Sequence, residues 1–324
     1  MDQLQQAILP VKEEFEAFRR LFDTSLQGSN SLLNEVLAYV KQRNGKMMRP
    51  ILVLLVAKMC GGIHTSTFHA AISLELLHTA SLVHDDVVDE SDKRRGQLSV
   101  NALYDNKVAV LVGDYMLATS LKHSAYTGSI RMVDLVARLG QTLSEGELIQ
   151  LANISAIDFS ENIYYDVIRK KTAALFATAA EAGAVSAGAS DEMVEKARLA
   201  GEMIGIAFQI KDDIFDYYSP KEIGKPTGND MREGKLTLPA LYVLNFDKNE
   251  EAVRLALRIR SLDATEEEIA RFIEYIKLQG GIEHARKAMR DYRDRALDLS
   301  QQDVDSSMRE ALTAYIDYVI DREK

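Results

Sequence analysis

Six aspartates carry the chemistry of this sequence. Asp85, Asp86 and Asp89 close the stretch LELLHTASLVHDDVVDESDKRRG at 74–96, and Asp212, Asp213 and Asp216 repeat the same DDxxD spacing in QIKDDIFDYY at 209–218. On a helix, the first and last members of each triplet are four residues apart and share a face. Both triplets fall near the C-terminal end of their helical stretch, where the macrodipole disfavours negative charge, so a cation is needed to justify them. One isolated DDxxD is more often a solvated acidic turn. The repetition, the placement against the dipole and the basic residues flanking each triplet decide against that here. Clustered carboxylates with no histidine or cysteine ligands suit a hard divalent ion, and magnesium takes much of its shell from water and substrate phosphates. His84 adjoins the first triplet but has no second histidine at metal-ligand spacing, so it reads as structural or substrate-contacting. Scattered cations complete the set: Lys46, Arg49, Arg94, Arg95, Lys171, Lys225 and Lys235. Carboxylates for magnesium together with these cations read as a site for a diphosphate.

Helices must position these groups. No proline occurs between Pro50 and Pro220, and good helix formers dominate that stretch. No convincing alternating strand pattern appears, so the fold is expected to be all-α. Residues 1–25 read as an amphipathic helix that Pro10 kinks or breaks. Helices over 31–43, 66–90, 101–122, 130–152, 159–182 and 191–218 follow, with more after 250. In the 101–122 stretch, Gly113 suggests close approach to another helix. Gly45-Lys46-Met47-Met48-Arg49-Pro50 places two cations at a helix start, an arrangement that favours an anion. On the second aspartate helix, 205, 209, 212 and 216 share a face. Residues 219–242 hold three of the five prolines and read as a basic, irregular lid.

At 47% hydrophobic, 324 residues can bury a substantial core. No composition shift marks a boundary, so 1–324 reads as a single domain. The net charge of −10 and the absence of a Lys/Arg-rich run argue against nucleic acid as a partner. Cys60 is the only cysteine, so no intrachain disulfide can form. The N-terminus lacks a signal-peptide pattern and no apolar run is long enough for a membrane anchor, which gives a cytoplasmic expectation.

At GKMMRP (45–50), LLHTASLVHDDVVDESDKRRG (76–96), KTAALF (171–176), FQIKDDIFD (208–216) and GKPTGNDMREGKLTLP (224–239), the chain resembles the trans-type polyprenyl diphosphate synthases, whose members include long-chain heptaprenyl- and octaprenyl-type synthases. The likeness spans nearly the whole chain. It implies an all-α bundle around a central cavity, usually a homodimer, in which both triplets hold Mg2+, typically three ions. It further implies that Arg94, Lys171, Gln209, Lys225 and Lys235 serve an allylic diphosphate, and that Lys46, Arg49, His78 and Arg95 serve isopentenyl diphosphate. Met47 stands where the family often has a basic residue. A terpene cyclase usually lacks the second DDxxD and the isopentenyl-site cations. A non-catalytic subunit tends to lose aspartates, and a plain helical scaffold does not explain acids set against helix dipoles.

The hydrocarbon tail of such a substrate has to run from the aspartates down the same helix face. Ala80 and Ser81, five and four residues before Asp85, are small, whereas short-chain members of the family commonly carry an aromatic floor at one of these places. The tail can then pass Leu77 towards Leu74, gaining roughly 5 Å per helical turn. Met116, Leu117 and Leu121 are candidates for a deeper floor. This predicts a long-chain product of the kind used for quinone side chains. A long apolar product suggests hand-over at a membrane surface, although nothing in the sequence reads as an anchor. Ala80→Tyr or Ser81→Phe is expected to shorten the product read by mass spectrometry; unchanged length would remove the tunnel assignment.

Overall fold

A computed structural model describes residues 2–42, 45–94, 96–154, 159–218, 227–247, 249–300 and 304–321. Pro10 lies in a 3₁₀ turn, Leu9–Val11, that separates α1 (Gln3–Ile8) from α2 (Lys12–Ser25). Then come α3 (Ser31–Gln42), α4 (Met48–Met59), α5 (Thr65–Val88), α6 (Val100–Leu103), α7 (Asn106–Tyr126) and α8 (Ile130–Ile154). They are followed by α9 (Glu161–Ile168), α10 (Ala174–Ser186), α11 (Asp191–Phe215) and the single turn α12 (Asn229–Arg232). The last five are α13 (Leu238–Asp247), α14 (Glu250–Arg260), α15 (Glu266–Leu278), α16 (Gly281–Ser300) and α17 (Ser306–Asp321).

The all-α expectation holds, with local corrections. A short antiparallel hairpin, β1 (Lys93–Arg94) and β2 (Gln97–Leu98), replaces the loop read after the first triplet. Two residues per strand are too few to show an alternating pattern. The helix expected over 101–122 is two helices, because the Asp105 carboxylate caps Val108 N–H at 2.8 Å and starts α7 afresh. The helix expected over 159–182 is interrupted by a π turn, Arg169–Ala173. The described part of the 219–242 segment is not irregular throughout, since α12 and the start of α13 lie in it.

The chain clusters into two compact units. One comprises 1–140, 175–198 and 303–315; the other comprises 141–174, 199–302 and 316–324. In the first unit α4 is apolar all round, and Ile51 through Val56 are buried without exception, as expected of a central helix. Gly183 of α10 sits against α4 so closely that a Cβ there would lie 2.6 Å from the Val53 carbonyl oxygen. Helices α5 and α7 form the closest pair. Ser73 Oγ donates to the Ser120 carbonyl at 2.8 Å, and Ser120 Oγ donates back to the Ser73 carbonyl at 2.7 Å. In the second unit, Gly281 lets α16 meet α13, where a Cβ would lie 2.5 Å from the Pro239 carbonyl. Among the described residues, no helix is long and apolar enough to cross a membrane.

The α5–α7 seam also contains a histidine pair. His69 Nδ1 and His123 Nδ1 are 3.0 Å apart, a spacing that one neutral donor and one neutral acceptor satisfy. Burial, with the His69 and Lys122 charges adding to it, pulls His123 down to about 4, and burial lowers His69 as well. A base whose folded pKa is depressed contributes stability that is present above its unfolded pKa and lost as pH falls towards the folded value. The melting temperature is therefore expected to fall between pH 7 and pH 4.5, and the fall should be shallower in His123→Leu than in the wild type when both are followed by circular dichroism.

Candidate active site

The first unit carries the first triplet. Helix α5 ends at Val88, so Asp89 is its exposed C-cap rather than part of a helix running to 90. Asp85 is half-buried. Asp86 points inward, only 2% exposed, and accepts a hydrogen bond from Arg94 Nε at 2.6 Å. The β1–β2 hairpin makes that pairing possible. Gly96 turns it with φ of +77°, in the left-handed region that glycine enters without strain. Ser99 Oγ donates to the Ser91 carbonyl at 2.6 Å, while Asn101 Nδ2 donates to the Asp86 and Ser91 carbonyls at 3.2 and 3.3 Å. The chain after the triplet is thereby folded back, and Arg94 is aimed at the helix end. Arg95 lies outside the described residues.

His84 has a structural place. Its Nε2 is 3.2 Å from the Val110 carbonyl oxygen and 3.5 Å from Asp114 Oδ1. It fills the space that Gly113 leaves, where a Cβ would lie 2.1 Å from the ring. Met47 precedes α4 with φ of +50°, which is unusual for a residue with a side chain. The turn it makes leaves Lys46 exposed and puts Arg49 in the first helical turn. The Arg49 guanidinium lies 5.0 Å from the centre of the Phe176 ring. Tyr315 of α17 donates to the Met48 carbonyl at 2.9 Å. Burial raises the Tyr315 phenol, while Arg49 and Glu75 act on it in opposite directions. His78 is half-buried on α5, one turn beyond Glu75. Leu77 and Ala80 are buried, and the half-buried Ser81 donates to the His78 carbonyl at 2.9 Å. Of the three deeper floor candidates, Met116 is fully buried and Leu117 half-buried, but Leu121 is 43% exposed and does not face this interior.

The second unit holds the second triplet and a cavity of about 270 Å3 that Tyr164, Lys171, Gln209, Asp213, Asp230 and Lys235 help to line. The π turn places Lys171 here. It has one residue more per turn than an α-helix and so turns a lysine that ordinary helical spacing would aim elsewhere. Gly146 allows the close approach: a Cβ there would lie 3.0 Å from Lys171 Cγ. Lys171 Nζ donates to Gln150 Oε1 at 3.0 Å and is ion-paired with Glu147. Lys235 Nζ pairs with Glu233 at 2.6 Å. Lys225 lies outside the described residues.

Gln209 shares a helical face with Asp212, and its Nε2 donates to Asp213 Oδ1 at 2.8 Å. The other Asp213 oxygen accepts from the Tyr164 hydroxyl at 2.6 Å. Asp216 accepts from the backbone N–H groups of Asn229 and Asp230 at 2.9 and 3.1 Å, capping α12. Burial pushes Asp213 up to about 7, the Tyr164 and Gln209 hydrogen bonds pulling against this and the Asp212 and Asp216 charges adding to it. Burial, with the Asp213 and Asp216 charges, raises Asp230 well above the usual carboxylate range. Burial raises Asp216 too. Asp230, Glu147, Gln150 and Tyr164 are site residues that spacing did not reveal. Asp230 stands in GNDMREGK, inside the stretch read as an irregular lid, and the others lie in segments that read as ordinary helix.

This donor set fits magnesium. Its atoms are oxygens, and the raised carboxylates are groups whose repulsion a divalent cation relieves. Among the described residues no three His, Cys, Asp or Glu side chains converge into a ready-made metal cage. Magnesium does not require one, since it usually keeps several waters and takes phosphate oxygens.

Known proteins resemble this chain in sequence and fold. Residues 30–276 match the family model described as Polyprenyl synthetase. The chain is 34% identical over 290 residues to heptaprenyl diphosphate synthase component 2 of Geobacillus stearothermophilus, 89% of each chain being covered. It is 32% identical over 300 residues to octaprenyl diphosphate synthase of Escherichia coli, covering 92% of this chain and 93% of that one. The crystal structure of a geranylgeranyl pyrophosphate synthase from Bacteroides thetaiotaomicron superposes with a TM-score of 0.87 at 51% identity, covering 99% of this chain and 100% of that one.

Lys171 is one of the cations lining the cavity, and Glu147 competes with an anion for it. A charge-assisted hydrogen bond contributes about 1.5–3 kcal/mol, so Lys171→Ala is expected to weaken binding of inorganic diphosphate with Mg2+ by about tenfold or more. Glu147→Gln is expected to tighten it. Isothermal titration calorimetry reads both changes; equal affinities in all three proteins would remove Lys171 from the site.

Proposed function

The chain belongs to the polyprenyl synthetase family and is a prenyltransferase, and on that premise we propose that it condenses isopentenyl diphosphate with an allylic diphosphate such as farnesyl diphosphate. Successive trans additions give a long-chain polyprenyl diphosphate for quinone side chains. The observation that carries the reading is the cavity in which Lys171 and Lys235 stand with Asp213 and Asp230, a set that suits a diphosphate accompanied by divalent ions. Because the family model spans both compact units, we take 1–324 as one synthase domain. The reading extends to a cytoplasmic homodimer, with transient membrane contact when product leaves.

The two aspartate triplets would hold Mg2+, three ions per site. When bound, Mg2+ supplies charge neutralisation to the departing diphosphate. Lys171, Lys235 and Arg94 add fixed positive charge at the same leaving group. Each is paired with a carboxylate in the ligand-free chain, so substrate binding exchanges one anion for another. Gln209, and Lys225 beyond the described residues, belong to the same allylic subsite. Lys46, Arg49, Arg95 and His78 hold isopentenyl diphosphate, with the Arg49 guanidinium kept in place by the Phe176 ring.

The allylic C–O bond breaks and its electron pair goes to the diphosphate oxygen. The π electrons of isopentenyl diphosphate form the new C–C bond to the allylic carbon. A proton then leaves the adjacent carbon for the released diphosphate. Positioning and electrostatic stabilisation of the leaving group do most of the work, and no nucleophilic side chain is required.

The small Ala80 and Ser81 support the long product, as do the names of the heptaprenyl and octaprenyl relatives. Purified protein given Mg2+, farnesyl diphosphate and labelled isopentenyl diphosphate is expected to form linear polyprenyl diphosphates. Cyclic hydrocarbon would indicate a cyclase, and product only on addition of a second protein would indicate a subunit. Asp85→Ala and Asp212→Ala are each expected to lower turnover by several orders of magnitude with the circular dichroism spectrum unchanged; near-normal turnover would sink the magnesium assignment.

A further inference from the structure

The middle aspartate of the second triplet is the buried one. Asp213 is 4% exposed, and both of its oxygens are taken by protein donors. Its donors belong to a longer chain of hydrogen bonds. Gln209 spends its amide N–H on Asp213, so its carbonyl oxygen faces the other way and accepts from Thr172 Oγ1 at 2.6 Å. Thr172 lies in the π turn immediately after Lys171. The order is therefore Tyr164, Asp213, Gln209, Thr172, running from α9 through α11 to the turn that carries the diphosphate-facing lysine. Every orientation along it is dictated by the one before. Tyr164 is buried, 8% exposed, and can only donate to a carboxylate. With Oδ2 so occupied, Oδ1 takes the Gln209 N–H, which fixes the amide and hence the Thr172 hydroxyl.

We propose that Tyr164 is a positioning residue for the reaction: its hydroxyl locks Asp213, and through Gln209 and Thr172 it sets the π turn that aims Lys171, so that Asp213 anchors the site rather than coordinating an ion. This rests on the diphosphate reading of the cavity. Asp86 parallels it in the first unit, where the middle aspartate is again the buried one and is held by Arg94. In each triplet the outer two carboxylates are more exposed than the middle one.

Removing the Tyr164 hydroxyl leaves Asp213 Oδ2 buried without its donor. The carboxylate then turns, and the constraint on Gln209 and Thr172 is lost. Tyr164→Phe is expected to remain folded, to lower kcat by about 10- to 100-fold, and to leave KM for isopentenyl diphosphate within about twofold. If the chain acts as a unit, Thr172→Val costs much less in the Tyr164→Phe background than in the wild type. Ion binding is read separately, by electron paramagnetic resonance of Mn2+ titrated with inorganic diphosphate. Asp213→Asn should keep the wild-type ion count and affinity, whereas Asp212→Asn should lose at least one ion. Loss of an ion in Asp213→Asn would overturn the anchoring role. A kcat within twofold of wild type for Tyr164→Phe, or additive effects in the double variant, would overturn the positioning role. Failure of the wild type itself to bind Mn2+ with diphosphate would remove the functional reading and this inference together.

Discussion

Each unit meets the same electrostatic difficulty: carboxylates are kept close together, partly out of water, at a helix end whose dipole opposes them. A buried carboxylate is tolerated only when donors or cations satisfy it. The chain uses three kinds of partner. Asp86 has a guanidinium, Asp216 has two backbone N–H groups at the start of α12, and Asp213 has a phenol and an amide. Each partner comes from a segment that must then be held in register. The hairpin after α5, the turn at 228–230 and the junction between α9 and the π turn all meet that demand. Local backbone features that look incidental, such as Gly96 at its positive φ or Gly146 beneath Lys171, follow from it.

The cations are arranged by the same logic in reverse. Lys171, Lys235 and Arg94 are each paired with an acid. The pairs differ in what release would require. The Asp86 carboxylate is buried, so freeing Arg94 would leave a charge with little water around it. Glu233 is well exposed and can return to solvent. Exchange is therefore easiest at Lys235, intermediate at Lys171, and hardest at Arg94, which acts more as part of the scaffold that holds the first triplet.

Much of this was legible in the residues. Doubled DDxxD spacing, acids set against helix dipoles and the long proline-free run led to an all-helical protein with two acidic clusters, and Gly113 was read as a close helix approach before His84 was found filling its space. What was not legible has a common physical origin. The π turn differs from α-helix by one residue per turn, too small a change to disturb an apolar pattern. Tyr164 and Asp230 act through partners about fifty and fifteen residues away in sequence, and no local spacing records such contacts. Gln209 keeps the helical face it shares with Asp212, but its bond to Asp213 is not decided by spacing, because 212 and 213 both lie within a helical turn of it. Leu121 was a reasonable floor residue on hydrophobicity alone, but position on α7 turns it outward.

Chain length is the property on which relatives with this fold diverge, since their names run from geranylgeranyl to octaprenyl. A shared fold with different products means that few side chains decide the outcome, and α5 suggests which. From Asp85 to Leu77 is eight residues, about 12 Å of helix, and the half-buried His78 and the small Ser81 lie between them on that face. Leu77 is buried beside His78, and a Cβ on Gly140 of α8 would lie 3.9 Å from its Cδ1. Deeper along α5, the reciprocal Ser73–Ser120 hydrogen bonds draw the α5 and α7 backbones together, so a tail that passes Leu77 must leave the α5–α7 seam and follow the α8 side. On the proposed reading, the length limit therefore depends on how far Leu77 can turn into the space that Gly140 leaves beside it, which makes a glycine on a neighbouring helix as consequential as the two small residues nearest the aspartates.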